Sequence, residues 1–174
     1  MRNIFLIIGN FGVGKTAVCK FYPHEKTTEP IWTECEGMLM LGGKLGADSI
    51  SGMDFKKEFI ITKAIPDKKD RDIVIHSVFY SSDIDILRYK KTHNLFVIYL
   101  KTSYEENYKR MFSRKGKHLS LDDFERFERG AEKFLFLCKQ ADVPCKVVDN
   151  DRSPEEVSNE VWLYIKDNCS KIKA

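Results

Sequence analysis

Five apolar stretches are spaced along the chain, and the segments between them carry apolar residues at every third or fourth position. The first stretch, residues 4–8, is an unbroken apolar run, which is typical of a parallel strand buried on both faces. The intervening segments have the spacing of helices that cover a sheet with one face. The predicted strands are Ile4–Ile8, Met38–Leu41, Asp72–Ser77, Leu95–Leu100 and Cys145–Val148. Strands that alternate with helices predict a three-layer α/β domain with a parallel sheet.

Serine residues mark the starts of three of the predicted helices. Ser103 stands three positions before a glutamate, as does Ser153, and this spacing is that of a capping box. Ser120 precedes a long stripe of apolar residues at helical spacing. Further helices are predicted after the first strand, over residues 53–63 and up to about residue 91, whereas the polar residues 24–33 predict a loop.

A phosphate-binding motif follows the first strand directly. Residues 9–16 match the pattern G-x-x-x-x-G-K-[ST] at every fixed position, and the short helix that follows them ends before Pro23. This order brings backbone N–H groups and a helix N-terminus around one point, where a polyphosphate is favoured. We therefore expect Lys15 to reach the β- and γ-phosphates of ATP and Thr16 to bind Mg²⁺. The alternative is a glycine-rich turn in which the Lys-Thr pair is incidental.

The segment after the fourth strand has a strand, a helix and a cationic end in sequence. With the phosphate loop upstream, residues 99–114 resemble the fourth strand, following helix and lid of nucleoside and nucleotide kinases. The resemblance covers nearly the whole chain and implies a single domain, residues 1–174, with strand order 2-3-1-4-5 and a lid at about 110–118. Arg110 and Arg114 would then bind the transferring phosphates, and a solvated helix end is the alternative. The predicted nucleotide-binding residues are Gly9, Asn10, Phe11, Gly12, Val13, Gly14, Lys15, Thr16, Ala17, Arg110 and Asp151.

Two carboxylates are candidates for the group that activates the acceptor. Asp48 is the only acid in the glycine-rich loop of residues 42–52, and its alternative role is to cap a turn there. Glu29 lies in a Glu-Pro-Ile-Trp segment that resembles the catalytic element of deoxynucleoside kinases. Many phosphate-loop enzymes also end the third strand with an aspartate that holds magnesium, but here that position falls on His76 or Ser77.

The same glycine-rich loop suggests an acceptor. Its Gly-Gly and Asp-Ser pairs resemble the substrate loop of phage DNA kinases that phosphorylate 5-hydroxymethyluracil within DNA, which implies a flipped base as the acceptor. An ATP- and magnesium-dependent kinase of that kind is the first interpretation. A kinase of a free nucleoside or nucleotide is the second, and a nucleotide-binding switch without kinase chemistry is the third.

Charge and cysteine content refine this picture slightly. Residues 1–118 carry 20 basic and 14 acidic groups, a balance of +6, and residues 119–160 carry 6 and 11, a balance of −5. An anionic partner such as DNA and a merely solvated surface both fit this asymmetry. Five cysteines without C-x-x-C spacing indicate neither a disulfide framework nor a zinc site, and no cofactor beyond ATP and Mg²⁺ is expected. No apolar run approaches the roughly 20 residues of a membrane span, so we expect a cytoplasmic protein, in the host cytoplasm if a phage encodes it.

Overall fold

The computed structural model describes residues 1–21, 26–29, 32–41, 60–68, 70–77 and 84–173. Seven strands lie in these ranges: β1 Arg2–Gly9, β2 Lys26–Glu29, β3 Trp32–Cys35, β4 Met38–Leu41, β5 Ile73–Ser77, β6 His93–Lys101 and β7 Cys145–Asp149. The α-helices there are α1 Lys15–Lys20, α2 Ile65–Asp67, α3 Tyr104–Lys115, α4 Leu121–Gln140 and α5 Pro154–Lys173. A π-helical turn, Ile60–Ala64, leads into α2, and a 3-10 helix, Ile84–Lys91, precedes β6.

All seven strands form one sheet, in the order β2-β3-β4-β5-β1-β6-β7. Five neighbouring strands, β4, β5, β1, β6 and β7, are parallel. They correspond to predicted strands 2, 3, 1, 4 and 5, so this part of the sheet has the predicted order. The prediction of a sheet with only five strands is wrong, because β2 and β3 add to it in antiparallel pairing. These two strands also replace part of the loop that was expected over residues 24–33. Each is only four residues long, so neither contains a run long enough to stand out from a polar loop.

Strand β1 is the central one of the five parallel strands. It contributes to two apolar cores, one on each face of the sheet. Ile4, Leu6 and Ile8 belong to the core that α4 covers, together with Ile65 of α2. Phe5 and Ile7 point to the other face, where α1 and α5 cover them. This alternation follows from the two-residue repeat of a strand, and burial on both faces requires the unbroken apolar run in the sequence. The three-layer prediction is confirmed.

The three serine caps are confirmed. The hydroxyl oxygens of Ser103, Ser120 and Ser153 accept hydrogen bonds from backbone N–H groups three residues later, at 3.3, 3.1 and 3.3 Å. At Ser153 the bond is reciprocal, because the Glu156 carboxylate accepts from the Ser153 N–H at 3.1 Å. The capping box predicted at Ser103 is only half formed, because the Ser103 N–H donates to Asp151 and the Glu106 carboxylate pairs with Arg110. These caps define where α3, α4 and α5 begin and therefore how their first turns meet the sheet. Within the described residues, no helix is long and apolar enough to cross a bilayer.

Candidate active site

The phosphate-loop motif forms the connection between β1 and α1, at the carboxyl end of the central strand. Gly12 and Gly14 both have positive φ angles, 74° and 94°, which side-chain-bearing residues rarely adopt. The first helical hydrogen bond runs from the Val18 N–H to the Gly14 carbonyl, at 3.0 Å. The half-buried residues Thr16 and Ala17 therefore lie in the first turn of α1, next to the loop. This is the strand-loop-helix context that the motif needs in order to bind phosphates.

Lys15 is enclosed by the loop that contains it. Its side chain is 2% exposed, and its ammonium donates hydrogen bonds to the carbonyl oxygens of Gly9 and Asn10, at 2.7 and 2.8 Å. Burial disfavours the charged form, and it lowers the pKa of Lys15 to about 7. A bound polyphosphate would supply negative charge beside this amine and would favour its ammonium form.

Helix α3 supports the loop from its outer side. The Asn107 amide is fully buried and donates to the Phe11 carbonyl at 2.6 Å. Met111 lies one turn further along α3 and contacts Gly12 so closely that a Cβ atom at Gly12 would come within 2.2 Å of the Met111 Cγ. Helix α3 thus supplies the hydrogen-bond donor for the Phe11 carbonyl of the loop. Neither Asn107 nor Met111 was found by sequence reasoning, because nothing in the motif refers to residues almost a hundred positions away.

We expect Gly12→Ala to destabilise the protein more than Gly37→Ala. Both glycines have positive φ, which costs an alanine about 1–2 kcal/mol. Among the residues that the structure describes, a Cβ at Gly37 meets nothing within 4 Å, whereas a Cβ at Gly12 collides with Met111, which adds about 1–3 kcal/mol of overpacking. Urea unfolding of both variants measures the difference, and ATP affinity should fall only for Gly12→Ala. Equal losses of stability would show that α3 does not press on the loop.

Arg110 connects the phosphate loop to the turn after β7. Its guanidinium donates to the carbonyl oxygens of Val13 at 3.0 Å and Asn150 at 2.6 Å, and it pairs with Glu106 on its own helix at 2.9 Å. Arg110 lies inside α3 and is held at several points. The lid at about 110–118 remains a prediction, and residues 110–115 of it belong to α3. Regular structure continues to Lys115, and the connection from α3 to α4 is confined to residues 116–120.

The turn after β7 completes the support of the loop. Asn150 is buried, and its amide donates to the Val13 carbonyl and to the Thr102 hydroxyl. Asp151, predicted to bind nucleotide, accepts instead from the Ser103 N–H through both carboxylate oxygens, at 3.0 and 3.2 Å. Its side chain thus caps α3, and its place beside Asn150 and Arg110 keeps the turn next to the loop. Its contact with nucleotide remains a prediction.

Helix α4 contacts the loop on another side, through residues that sequence reasoning assigned to the core or did not consider. The Asn10 amide donates to the Phe124 carbonyl and to the Glu128 carboxylate, both at 3.2 Å. Glu128 also accepts a hydrogen bond from the hydroxyl of Tyr99, and burial together with this contact raises the pKa of Tyr99. The Phe11 and Phe127 rings meet edge to face with centroids 5.0 Å apart. Glu128 is therefore a carboxylate at the edge of the loop, and the helical stripe of the sequence did not indicate it.

The remaining predicted site residues are Arg114, Asp48 and Glu29. Arg114 is exposed on the last turn of α3. Asp48 and the rest of residues 42–59 lie outside the described residues. Leu41, the last described residue before Asp48, is two strands from β1, and Glu29 at the end of β2 is four strands away. At ~4.8 Å between strands, these separations are about 10 Å for Leu41 and about 19 Å for Glu29, so Leu41 is nearer to the phosphate loop. The assignment of either carboxylate as the base remains a prediction.

Two solved structures share this architecture. A gluconokinase from Sinorhizobium meliloti 1021 is 16% identical, with a TM-score of 0.56 over 99% of this chain and 98% of the other. A shikimate kinase from Aquifex aeolicus vf5 is 15% identical, with a TM-score of 0.50 over 97% of this chain and 98% of the other. The fold is that of the P-loop kinases. No protein-family profile matches the chain, and no curated protein matches it either. At identities of 16% and 15%, this similarity shows the P-loop kinase fold but not the reaction.

Proposed function

We propose that this protein is an ATP- and magnesium-dependent kinase that transfers the γ-phosphate to a hydroxyl group of a small molecule. The observation that carries the proposal is the phosphate loop: a complete motif, with Lys15 held inside it, at the carboxyl end of the central strand of a P-loop kinase fold. Ligands of open α/β sheets bind at this edge. Phosphoryl transfer needs mainly positioning and charge stabilisation, and the loop provides both.

The proposed roles of the side chains follow from their places around the loop. Lys15 neutralises the β- and γ-phosphates, and the Thr16 hydroxyl at the start of α1 binds Mg²⁺. Arg114 is exposed and lies one helical turn after Arg110, so its guanidinium serves the γ-phosphate while Arg110 keeps the nucleotide-binding segments together. Asp48 is the proposed base for the acceptor hydroxyl, and Glu29 is the alternative.

A small molecule is the preferred acceptor because of the fold neighbours. Both are named for small-molecule kinases, and this chain aligns with each over nearly its full length. The acceptor of this chain has to be found by experiment, because the identities of 16% and 15% are too low to transfer a substrate.

The hydroxymethyl group of 5-hydroxymethyluracil in DNA is the second candidate acceptor. It is favoured by the basic balance of residues 1–118, 20 basic against 14 acidic groups, which suits a polyanionic substrate. The glycine-rich loop that suggested it lies outside the described residues. Nothing in the P-loop kinase neighbours supports this candidate.

The deciding experiment follows the label from γ-labelled ATP with Mg²⁺. Sugar acids, other hydroxylated metabolites, deoxynucleosides, deoxynucleoside monophosphates, plain DNA and 5-hydroxymethyluracil DNA are offered separately, and a Lys15→Met preparation controls for contaminating kinases. Label on a free small molecule supports the proposal, and label on modified DNA alone would replace it with the second candidate. Tight ADP binding without transfer to any acceptor would leave a nucleotide switch.

A further inference from the structure

Helix α3 carries a row of aromatic side chains on the side that faces residues 116–118. Tyr104, Tyr108 and Phe112 are four residues apart, so they lie one above another on the helix. The Tyr108 and Phe112 rings are nearly parallel, 7° apart with centroids separated by 5.9 Å. His118 places its ring 4.3 Å from that of Tyr108. We call Tyr108, Phe112 and His118 the ring cluster.

The ring cluster is at the surface, whereas the row begins at Tyr104, which is half-buried. Tyr104 packs against Phe124 and donates a hydrogen bond to the Leu119 carbonyl. Further along, Tyr108 is 37% exposed and Phe112 is 52% exposed. His118 is exposed as well. Large apolar rings that are adjacent, aligned and open to solvent indicate a binding surface more strongly than a single exposed aromatic residue does.

The segment that contains the ring cluster, residues 108–118, carries charge of one sign. Residues 108–118 include Lys109, Arg110, Arg114, Lys115 and Lys117 and contain no aspartate or glutamate. Lys109, Arg114 and Lys117 are exposed, and in the part of the chain that the structure describes they form no ion pair. The neighbouring acids are in the first turns of α3 and α4, where Glu106 pairs with Arg110 and Asp123 with Arg126.

We propose that the ring cluster, together with Lys109 and Lys117, forms a binding surface for single-stranded nucleic acid. Exposed aromatic faces stack on bases of any sequence, and lysine and arginine side chains beside them bind the phosphates. A duplex hides the faces of its bases, so the surface discriminates against it. This inference goes beyond phosphoryl transfer and does not need it, because no residue of the ring cluster belongs to the phosphate loop.

The test measures the anisotropy of fluorescein-labelled oligo-dT and oligo-rU as wild-type protein is added, with a duplex of the same length in parallel. We expect both single strands to bind more tightly than the duplex, with affinity that falls between ~50 and ~200 mM salt. Phe112→Leu keeps an apolar side chain but removes the ring, and it should weaken single-strand binding about tenfold. Phe112→Tyr should bind like the wild type. Lys109→Ala should lower the slope of log affinity against log salt by about 0.7.

Matched controls are available on α4. Phe136 is 60% exposed there, and Phe136→Leu should leave binding unchanged. Lys139 is exposed at the end of the same helix, and Lys139→Ala should leave the salt slope unchanged. Thermal unfolding of each variant shows whether it is folded. The proposal is overturned if the wild type binds no oligonucleotide at low salt, if a folded Phe112→Leu variant binds as the wild type does, or if duplex binds as well as single strand. Binding to anionic vesicles but not to oligonucleotides would overturn it in favour of a membrane surface.

Discussion

Lys15→Met is expected to lower phosphoryl transfer by about 10²–10³-fold. Methionine keeps the length and apolar character of the lysine stem, so the substitution removes chiefly the ammonium that the loop holds between the Gly9 and Asn10 carbonyls. That charge would offset the negative charge on the transferring phosphate in a site shielded from water, where such interactions are strong. Single-turnover transfer from γ-labelled ATP measures the loss.

Lys20→Met is the matched control for this variant. Lys20 ends the same short helix and is exposed, so its loss should leave transfer unchanged. The fold should tolerate Lys15→Met, because burial disfavours the charged form of this lysine, so its ammonium contributes little net stability. Retention of a tenth or more of wild-type transfer by folded Lys15→Met protein would remove the phosphate loop from the proposed chemistry.

The affinity for ATP is expected to fall about tenfold per pH unit between roughly pH 7.5 and 9. Without bound nucleotide, burial lowers the pKa of Lys15 to about 7, so above this pH the amine is mostly neutral. A bound triphosphate favours the ammonium and raises the pKa again, so binding at higher pH requires uptake of a proton. The affinity should therefore be highest at and below pH 7 and decrease as pH rises. Calorimetric titration of ATP in buffers of different ionisation enthalpy measures both the affinity and the proton uptake.

The pH effect can be assigned to Lys15 by substitution. Lys15→Met should bind ATP weakly at every pH and show no proton uptake in this range. The nearby Cys19 thiol is no competing source, because burial raises its pKa and keeps it neutral. Wild-type affinity that is constant from pH 7 to 9 would mean that the lysine stays charged in the empty site, and the proposed coupling between charge and binding would be wrong.

The α/β layers, the five parallel strands and the three serine caps could be predicted from the sequence because each rests on local information. A strand buried on both faces needs an unbroken apolar run such as residues 4–8, and a serine cap needs only the backbone N–H three residues later. The phosphate loop is equally local, since Gly12 and Gly14 supply backbone angles that the loop itself requires. For these features neighbours in sequence are also neighbours in space.

Only the tertiary structure decided how the loop is held. Asn107, Arg110, Glu128 and Asn150 reach it from three segments that follow it by about 100 to 140 positions, and their side chains bond to the backbone of the loop or to Asn10. A bond to a backbone carbonyl requires no particular residue type at the other end, so no motif records it. For the same reason β2 and β3 were missed. Each has only four residues, and each is stabilised by pairing with a neighbouring strand, β3 with β4 and β2 with β3, which the local pattern does not contain.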